Sequence, residues 1–529
     1  MPPIRAIAWS LLGLSLLVSS GCAAYQRGNT QSEGERIQSE KRGEVERFRR
    51  EELIDPRLSG PAPETPEELL AAIDLPDPMT LDNAIEIATE RNRDYQSRRE
   101  SLFLSALDLG VTRRDFLRPV FDGSVDWNYS DGTDLRSSDV VSLSLGGSYQ
   151  MFTGGNLNVS SSLSLDHDNA ASTPQQGTSG STTVSLSQPL LRGAGYDIAF
   201  EGLTQAERSL LYEARDFELF RQDFLIGIID DYYALLSQKQ QLVNTRQNID
   251  RQTFAFEQAQ ALFRLGRGDS LSVFRAEQSL LQAQNQLLND DQAYAVSFDR
   301  FKIQLGLPTA AEFDIDDDFP ALNELAIELE AAVDAALQNR LDLRTDRDQL
   351  EDQRRRVAIA RNALLPNLNL SASYTSSTDA ETSLRGLDFH EDGIASVGLS
   401  LEIPFDRKPE RASLRGAEIS LLQAERDLVR REDEVILDVR SSLGTLRQRR
   451  SQIEIGAREI SSLELSLEKA SLEFESGLAT NRDVTEAADA LTDAQNDQLD
   501  RIVDHEIARL TLLRQLGLLF VDESGRLDE

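Results

Sequence analysis

Apolar positions along this chain change period several times, and each change marks a new kind of element. Over Thr80–Leu117, the residues Leu81, Ala84, Ile85, Ala88, Leu102, Ala106 and Leu109 recur at helical spacing, with Thr80 placed to cap the first turn. Past Pro119 the period drops to two. Val125, Trp127 and Tyr129, then Val141, Leu143, Leu145 and Tyr149, then Leu157, Val159, Leu163 and Leu165, and last Val184 and Leu186 alternate with polar residues. This predicts four strands across about 121–189, with Gly154-Gly155 as a tight turn. Pro189 ends them and the helical period returns: Leu203 to Arg264 contains no proline and predicts one helix of roughly 90 Å. A break at 265–271 follows, then a helix over 272–307 whose Ala276, Leu280, Ala283, Leu287, Tyr294, Phe298, Phe301 and Leu305 form a three-and-four seam.

The chain then does this again. Leu203–Leu307 shifted by 211 residues lies without a gap on Leu414–Leu518, with Phe263, Gly266, Val273, Ala276 and Leu280 matching Phe474, Gly477, Val484, Ala487 and Leu491. Leu305-Gly306-Leu307 closes on Leu516-Gly517-Leu518. A match this long without insertions points to helices whose lengths are fixed by geometry. At an offset of 247 residues, Asn92 meets Asn339 and Pro119 meets Pro366. The second unit therefore reads as a helix over 323–364, two strands over about 367–404 ending at Pro404, a long helix over 411–475, a break at 476–482 and a helix over 483–518. The domain expectation is repeat 1 over 79–310, an acidic connector over 311–322, repeat 2 over 323–520 and a tail over 521–529.

Helix, tight turn and returning helix form antiparallel coiled-coil pairs. Each returning helix covers part of the long one, and the incoming helix covers the rest, giving a wall of uniform thickness. Strands of ~9–11 residues with one apolar and one polar face suit a transmembrane barrel, with lipid outside and water inside. An even strand count returns the chain to the side it left, and so few strands per chain require oligomerisation to close a pore. The same alternation on its own also fits a soluble sheet.

Residues 1–21 carry Arg5, an apolar run and small residues, which reads as an export signal. Cys22, the one cysteine, follows Leu17-Val18-Ser19-Ser20-Gly21 as in a bacterial lipobox, with Ser19 where the pattern prefers Leu. The alternatives are acylation of Cys22 or plain cleavage after Ala24. Residues 22–78 read as a polar, proline-broken tether. A net charge of −35 argues against nucleic acid as a partner. With one cysteine and three scattered histidines (His167, His390, His505), no metal spacing, phosphate loop or Ser-His-Asp grouping appears. The expectation is no enzyme, no metal and no cofactor.

Thr80-Leu81-Asp82-Asn83-Ala84 opening a helix, Gln188-Pro189-Leu190-Leu191-Arg192-Gly193 at a strand end, and the hairpins Phe263-x-x-Gly266 and Phe474-x-x-Gly477-x-x-x-x-x-Asp483-Val484 together resemble the TolC-like outer membrane efflux proteins over about 79–520. That resemblance implies a mainly α, mixed α and β fold with two structural repeats. A homotrimer would share one transmembrane β-barrel and continue as a periplasmic α-barrel. It implies a passive conduit for efflux or type I secretion, located in the outer membrane and reaching into the periplasm. Its partners would be outer-membrane lipid, a periplasmic adaptor and an inner-membrane pump. The family's adaptor-docking tip maps onto Gly266, Arg267, Gly268, Asp269 and Ser270, and onto Gly477, Leu478, Ala479, Thr480 and Asn481. The aperture carboxylates map onto Asp483, with Glu486 one turn on; Ser272 stands at the position equivalent to Asp483, so the alignment implies one acidic ring. Pro119, Pro189, Pro366 and Pro404 map to helix–strand junctions. The extra hairpin before Pro189 implies six strands per subunit, against the usual twelve in the whole barrel. Plainer roles exist for the tip residues: Gly266 and Gly477 as helix C-caps, and Asp483 as a first-turn carboxylate facing the helix dipole. A different class of function is a structural periplasmic coiled-coil lipoprotein without a pore.

Overall fold

The computed structural model of the chain describes residues 75–131, 137–169, 175–322, 325, 327–380, 393–476 and 478–521. The export signal, Cys22, nearly all of the tether and His390 lie outside these residues.

Two helices, α1 (Leu81–Arg91) and α2 (Arg93–Leu117), stand where the periodicity predicts one. The break is Asn92, whose backbone is extended (φ −61°, ψ 128°). Its Oδ1 accepts hydrogen bonds from the Asp94 and Tyr95 amides at 2.8 and 2.9 Å, so it caps the second helix. The apolar stripe runs through the break because α1 and α2 pack on the same long helix, and periodicity cannot register a one-residue interruption. The second unit breaks the same way, α6 (Leu329–Asn339) and α7 (Leu341–Asn362) meeting at Arg340 (φ −56°, ψ 123°). There an ion pair replaces the amide cap: Arg340 contacts Asp342 at 2.8 Å and Asp438 at 3.2 Å.

Between Pro119 and Pro189 run β1 (Val120–Asp131), β2 (Ser137–Gln150), β3 (Asn156–Asn169) and β4 (Gln175–Pro189); β5 (Asn367–Ala380) and β6 (Gly393–Glu402) follow Pro366. They form one six-stranded sheet in sequence order, antiparallel throughout, and β4–β5 pairing joins the two halves of the chain. The register puts like residues side by side. Phe121, Val125 and Trp127 of β1 stand opposite Gly147, Leu143 and Val141 of β2, and Leu370 and Ala372 of β5 opposite Leu399 and Val397 of β6. The other face is a ladder of hydroxyls: Ser124–Ser144 and Ser162–Ser181 at 2.8 Å, Thr183–Thr375 at 3.0 Å and Ser373–Ser396 at 2.8 Å. One face is thus mainly apolar, interrupted at Ser161, Thr182 and Ser376, where Ser161 and Thr182 hydrogen-bond to each other at 3.0 Å, and the other is hydrophilic, the two-faced pattern that suits a wall between lipid and water. Among the described residues no helix is long and apolar enough to cross a membrane.

A four-residue turn of helix, α3 (Tyr196–Ala199), leads into α4 (Glu201–Arg264), 64 residues long. The remaining helices are α5 (Ser270–Gln304), α8 (Lys408–Glu475) and α9 (Asn481–Leu516). Near the sheet the packing order is α2, α4, α7, α8; towards the turns it is α5, α4, α9, α8. The end of α5 meets the α1–α2 break, where Asn92 Nδ2 donates to the Gln304 carbonyl at 2.7 Å. Here glycine is required twice over. Gly306 has φ 76°, and a β-carbon on it would lie 2.3 Å from the Arg91 carbonyl oxygen. Gly517 (φ 66°) stands in the same relation to the α6–α7 break, its β-carbon position 2.8 Å from the Asn339 carbonyl carbon.

Both lateral flanks are apolar and exposed. At one end of the helix order lie Leu104, Leu107 and Val111 of α2 and Phe274, Leu281 and Leu288 of α5. At the other end lie Leu422, Val429, Leu465 and Leu472 of α8. Exposed apolar stripes of this extent are uncommon on a surface that meets only water.

Candidate functional site

The two helix-turn-helix tips are built by different local chemistry on one backbone plan. In the first, α4 ends at Leu265 and the chain reverses through Gly266 (φ 70°), with the Arg267 amide donating back to the Leu262 carbonyl at 2.9 Å. Gly268 packs close under the turn, its β-carbon position 3.2 Å from the Phe263 amide nitrogen. Asp269 then caps α5, its Oδ1 accepting from the Ser272 amide at 2.9 Å. Hydrogen bonds from the Ser272 hydroxyl and amide hold the Asp269 carboxyl below its ordinary value. Leu265, 73 % exposed, and Phe274 point outward, and Ser270 is exposed beside them.

In the second tip, α8 ends at Ser476, and the Leu478 and Ala479 amides donate to the Glu473 carbonyl at 2.8 and 3.1 Å. Gly477 lies outside the described residues. Thr480 caps α9 as half of a capping box: its amide and hydroxyl both donate to Asp483 Oδ2 at 2.7 Å. That pair of bonds keeps Asp483 ionised below the usual carboxylate range. Glu486, one turn on, is paired with Arg482. Leu478 is 81 % exposed, whereas Asn481 is 2 % exposed, so Asn481 does not belong to the accessible surface of the tip. Its position in the first turn faces it inward, and its main-chain carbonyl accepts from the Thr485 hydroxyl at 3.2 Å.

Shifted by 211 residues, Asp269 falls on Thr480 and Ser272 on Asp483. The acid and the hydroxyl have exchanged places within the cap, and each tip carries one capping carboxylate. Comparing only like positions misses this, because the cap is a pair of residues three apart and either member can supply the charge.

Between the tips and the middle of the wall lies a polar seam the periodicity does not reveal. Ser237 and Gln241 of α4 donate to Asp500 of α9 at 2.7 and 3.1 Å, Asn244 to Asn496 at 2.8 Å, and Asn248 and Gln252 to Asp489 at 3.0 and 3.1 Å. Arg251 donates to the Thr492 hydroxyl at 2.8 Å, and burial lowers its pKa. The trace in the sequence is a polar row at 237, 241, 244, 248 and 252, spaced as an apolar seam would be. Nearer the sheet α4 is held to α7 by charge. Buried Asp352 accepts from the Tyr212 hydroxyl at 2.8 Å and pairs with Arg208 at 2.5 Å and Arg355 at 3.0 Å. Burial first, and the bond to Asp352 second, push Tyr212 up to about 12. Among the described residues no cluster of His, Cys, Asp and Glu could hold a metal.

The pattern that defines the family described as outer membrane efflux protein matches residues 156–302 and 332–518, more than half the chain. The chain belongs to that family. Members of the outer membrane efflux protein family are channels, not enzymes, and this one resides in the outer membrane and extends into the periplasm. No curated protein matches it by sequence. Among solved structures, the outer-membrane channel OprN is similar over 83 % of this chain and 89 % of its own, with 17 % identity and a TM-score of 0.63. The CmeC outer membrane channel of Campylobacter jejuni is similar over 83 % and 85 %, with 15 % identity and a TM-score of 0.61. The outer membrane protein VceC of Vibrio cholerae is similar over 83 % and 96 %, with 14 % identity and a TM-score of 0.61. At these identities the likeness is one of fold.

Proposed function

We propose that three copies of this chain form a channel-tunnel that passively exports substrates handed over by a periplasmic adaptor and an inner-membrane pump, in efflux or type I secretion. The observation that carries this reading is the two-faced sheet set on a helical wall, with an apolar flank on each side of the molecule. A sheet that is apolar on one face and hydroxyl-lined on the other is stable in a bilayer only as part of a closed ring. Two unlike flanks that fit one another make a head-to-tail contact, and such contacts close into rings when the rotation permits. Cys22 is the lipid attachment point in this reading, and the exposed tip residues Leu265–Ser270, Leu478 and Thr480, with half-buried Ala479 between the last two, meet the adaptor. Asp483 and Glu486, with Asp269 alongside, line the aperture, where three copies of each would attract cations and resist anions.

The reading is tested by fractionation with outer membranes, migration as a heat-modifiable trimer, and current across a planar bilayer. Purified trimer that passes no current would favour the pore-less coiled-coil spacer instead. For the aperture, Asp483→Ala is expected to lower cation selectivity; an unchanged reversal potential would remove Asp483 from the pore.

A further inference from the structure

The register separates the side chains of the sheet more sharply than a water-facing surface alone requires. The aromatic residues of the described strands, Phe121, Trp127, Tyr129, Tyr149 and Tyr374, all fall on the apolar face. On the hydrophilic face the described side chains include no lysine, arginine, histidine or aromatic ring. Its charged residues are Asp122, Asp126 and Glu402, and its apolar ones are Val120, Val140, Pro189 and Ile394. Every other described position there is Ser, Thr, Asn, Gln or Gly. The hydroxyls bond to one another and to amides across the strands, Ser187 donating to Asn369 Oδ1 at 3.2 Å among them, so part of their hydrogen-bonding capacity is taken up within the wall.

Resting on the conduit reading above, in which this face meets the water of the bore, we infer that the lining is non-adsorbing and that the cargo it serves is an unfolded polypeptide. Sites that hold small molecules are lined mainly by apolar and aromatic side chains with a few placed polar groups, and planar rings gain further from stacking. Nothing of that kind stands on this face, so a planar or amphipathic compound finds no station along it. A small molecule has no need of such a surface, since it touches one or two side chains at a time. A polymer touches many. About ten contacts, each slowing escape about 3-fold, together slow it more than about 10⁴-fold, because free energies add and rates multiply. A polymer therefore passes only where sticking points are absent from the whole surface, and here they are absent from the described residues of all six strands. Composition also chooses among polymers. With Asp122, Asp126 and Glu402 as its charges, the lining repels a chain of phosphates or acidic sugars. A polypeptide mixes charges of both signs, and its amides exchange hydrogen bonds with serine hydroxyls as they do with water. Of the two routes named above, efflux and type I secretion, this surface suits secretion.

The test compares the growth medium of cells that make the protein with that of cells lacking it. Loss of the protein should remove at least one polypeptide from the medium and leave susceptibility to planar aromatic cations within about 2-fold. Ser162→Trp combined with Ser373→Trp sets rings on the hydrophilic face and should lower that polypeptide in the medium at least about 10-fold. Leu165→Trp, on the apolar face, should leave it unchanged. In a planar bilayer, a disordered peptide rich in Phe and Tyr should block the wild-type protein for no more than about 2-fold longer than the same peptide with Ser in their place, a comparison that needs no variant to fold. A larger rise in susceptibility would overturn the inference in favour of small-molecule efflux. Loss of a polysaccharide with no loss of polypeptide would overturn it in favour of that polymer, and wild-type blockades that lengthen with the aromatic content of the peptide would show the lining to be adhesive. Failure to form any trimer or pass any current would instead overturn the conduit reading on which this one rests.

Discussion

Helix α9 is held by two unlike seams, and the contrast shows how one helix can be fixed at one end and releasable at the other. Its upper half carries Leu512 and Leu516 into an apolar cluster with Ala332, Ala336, Val435, Val439, Leu443 and Leu446, every one of them buried. Its lower half meets α4 through Asp489, Thr492, Asn496 and Asp500, all hydrogen-bonded. The apolar cluster has no alternative partner, since water is a worse neighbour than any side chain there. The polar seam does have one: a neutral bond contributes only about 0.5–1.5 kcal/mol net, and one to a carboxylate such as Asp489 or Asp500 about 1.5–3 kcal/mol, because water replaces it when the helices part. The lower hairpins are therefore joined with high specificity and modest strength.

The largest effect should come from breaking the apolar end. Leu512→Ala is expected to lower unfolding stability by about 2–5 kcal/mol, read from the denaturant midpoint of the purified protein. A loss below that range would mean the cluster collapses around the gap and is less rigid than its burial implies.

A pH series locates the boundary between the two regions. His505 is 5 % exposed, and burial lowers its pKa from 6.5. The folded state thus resists a proton that the unfolded chain accepts, so stability is full above pH 6.5 and falls as the pH drops below it. Asp230 and Asp231 work in the opposite sense: burial raises both, and protonation there favours the folded form at lower pH. The comparison is therefore wild type against His505→Leu. The substitution should flatten the decline between pH 7 and pH 5.5, and parallel curves would show that His505 stays neutral or finds a partner.

The smallest effect belongs to the polar seam. Asn248→Ala removes one bond to the Asp489 carboxylate while Gln252 keeps the other, and a stability loss of about 1.5–3 kcal/mol is expected. Hydrogen exchange should meanwhile quicken in the lower parts of α4 and α9 and stay unchanged around Leu512. A change felt equally at both ends would erase the distinction between the seams.

Much of this architecture was legible in the sequence, because period-two and three-and-four patterns follow directly from which side of an element faces water. The strands between Pro119 and Pro189, the long helices and the glycine turns all announce themselves in that way. The breaks at Asn92 and Arg340 do not, since the apolar stripe crosses them undisturbed. Neither does the polar seam, whose Asn and Gln residues have the composition of a solvated face. Asn481 reads as an exposed turn residue until the helix geometry turns it inward. The exchanged caps at Asp269 and Asp483 hide because the conserved object is a hydrogen-bonded pair and not a position.

The junction at Gly306 has a mechanical side. With no β-carbon in the way, the end of α5 is seated against the backbone of Arg91, and the Asn92 side chain pins it there. A push applied along α5 from the tip is thereby delivered into α2 and on into β1, as through a spliced strut. The splice resists compression by direct backbone contact, and against sideways slip it offers one amide bond together with the packing of buried Leu305 and Leu307.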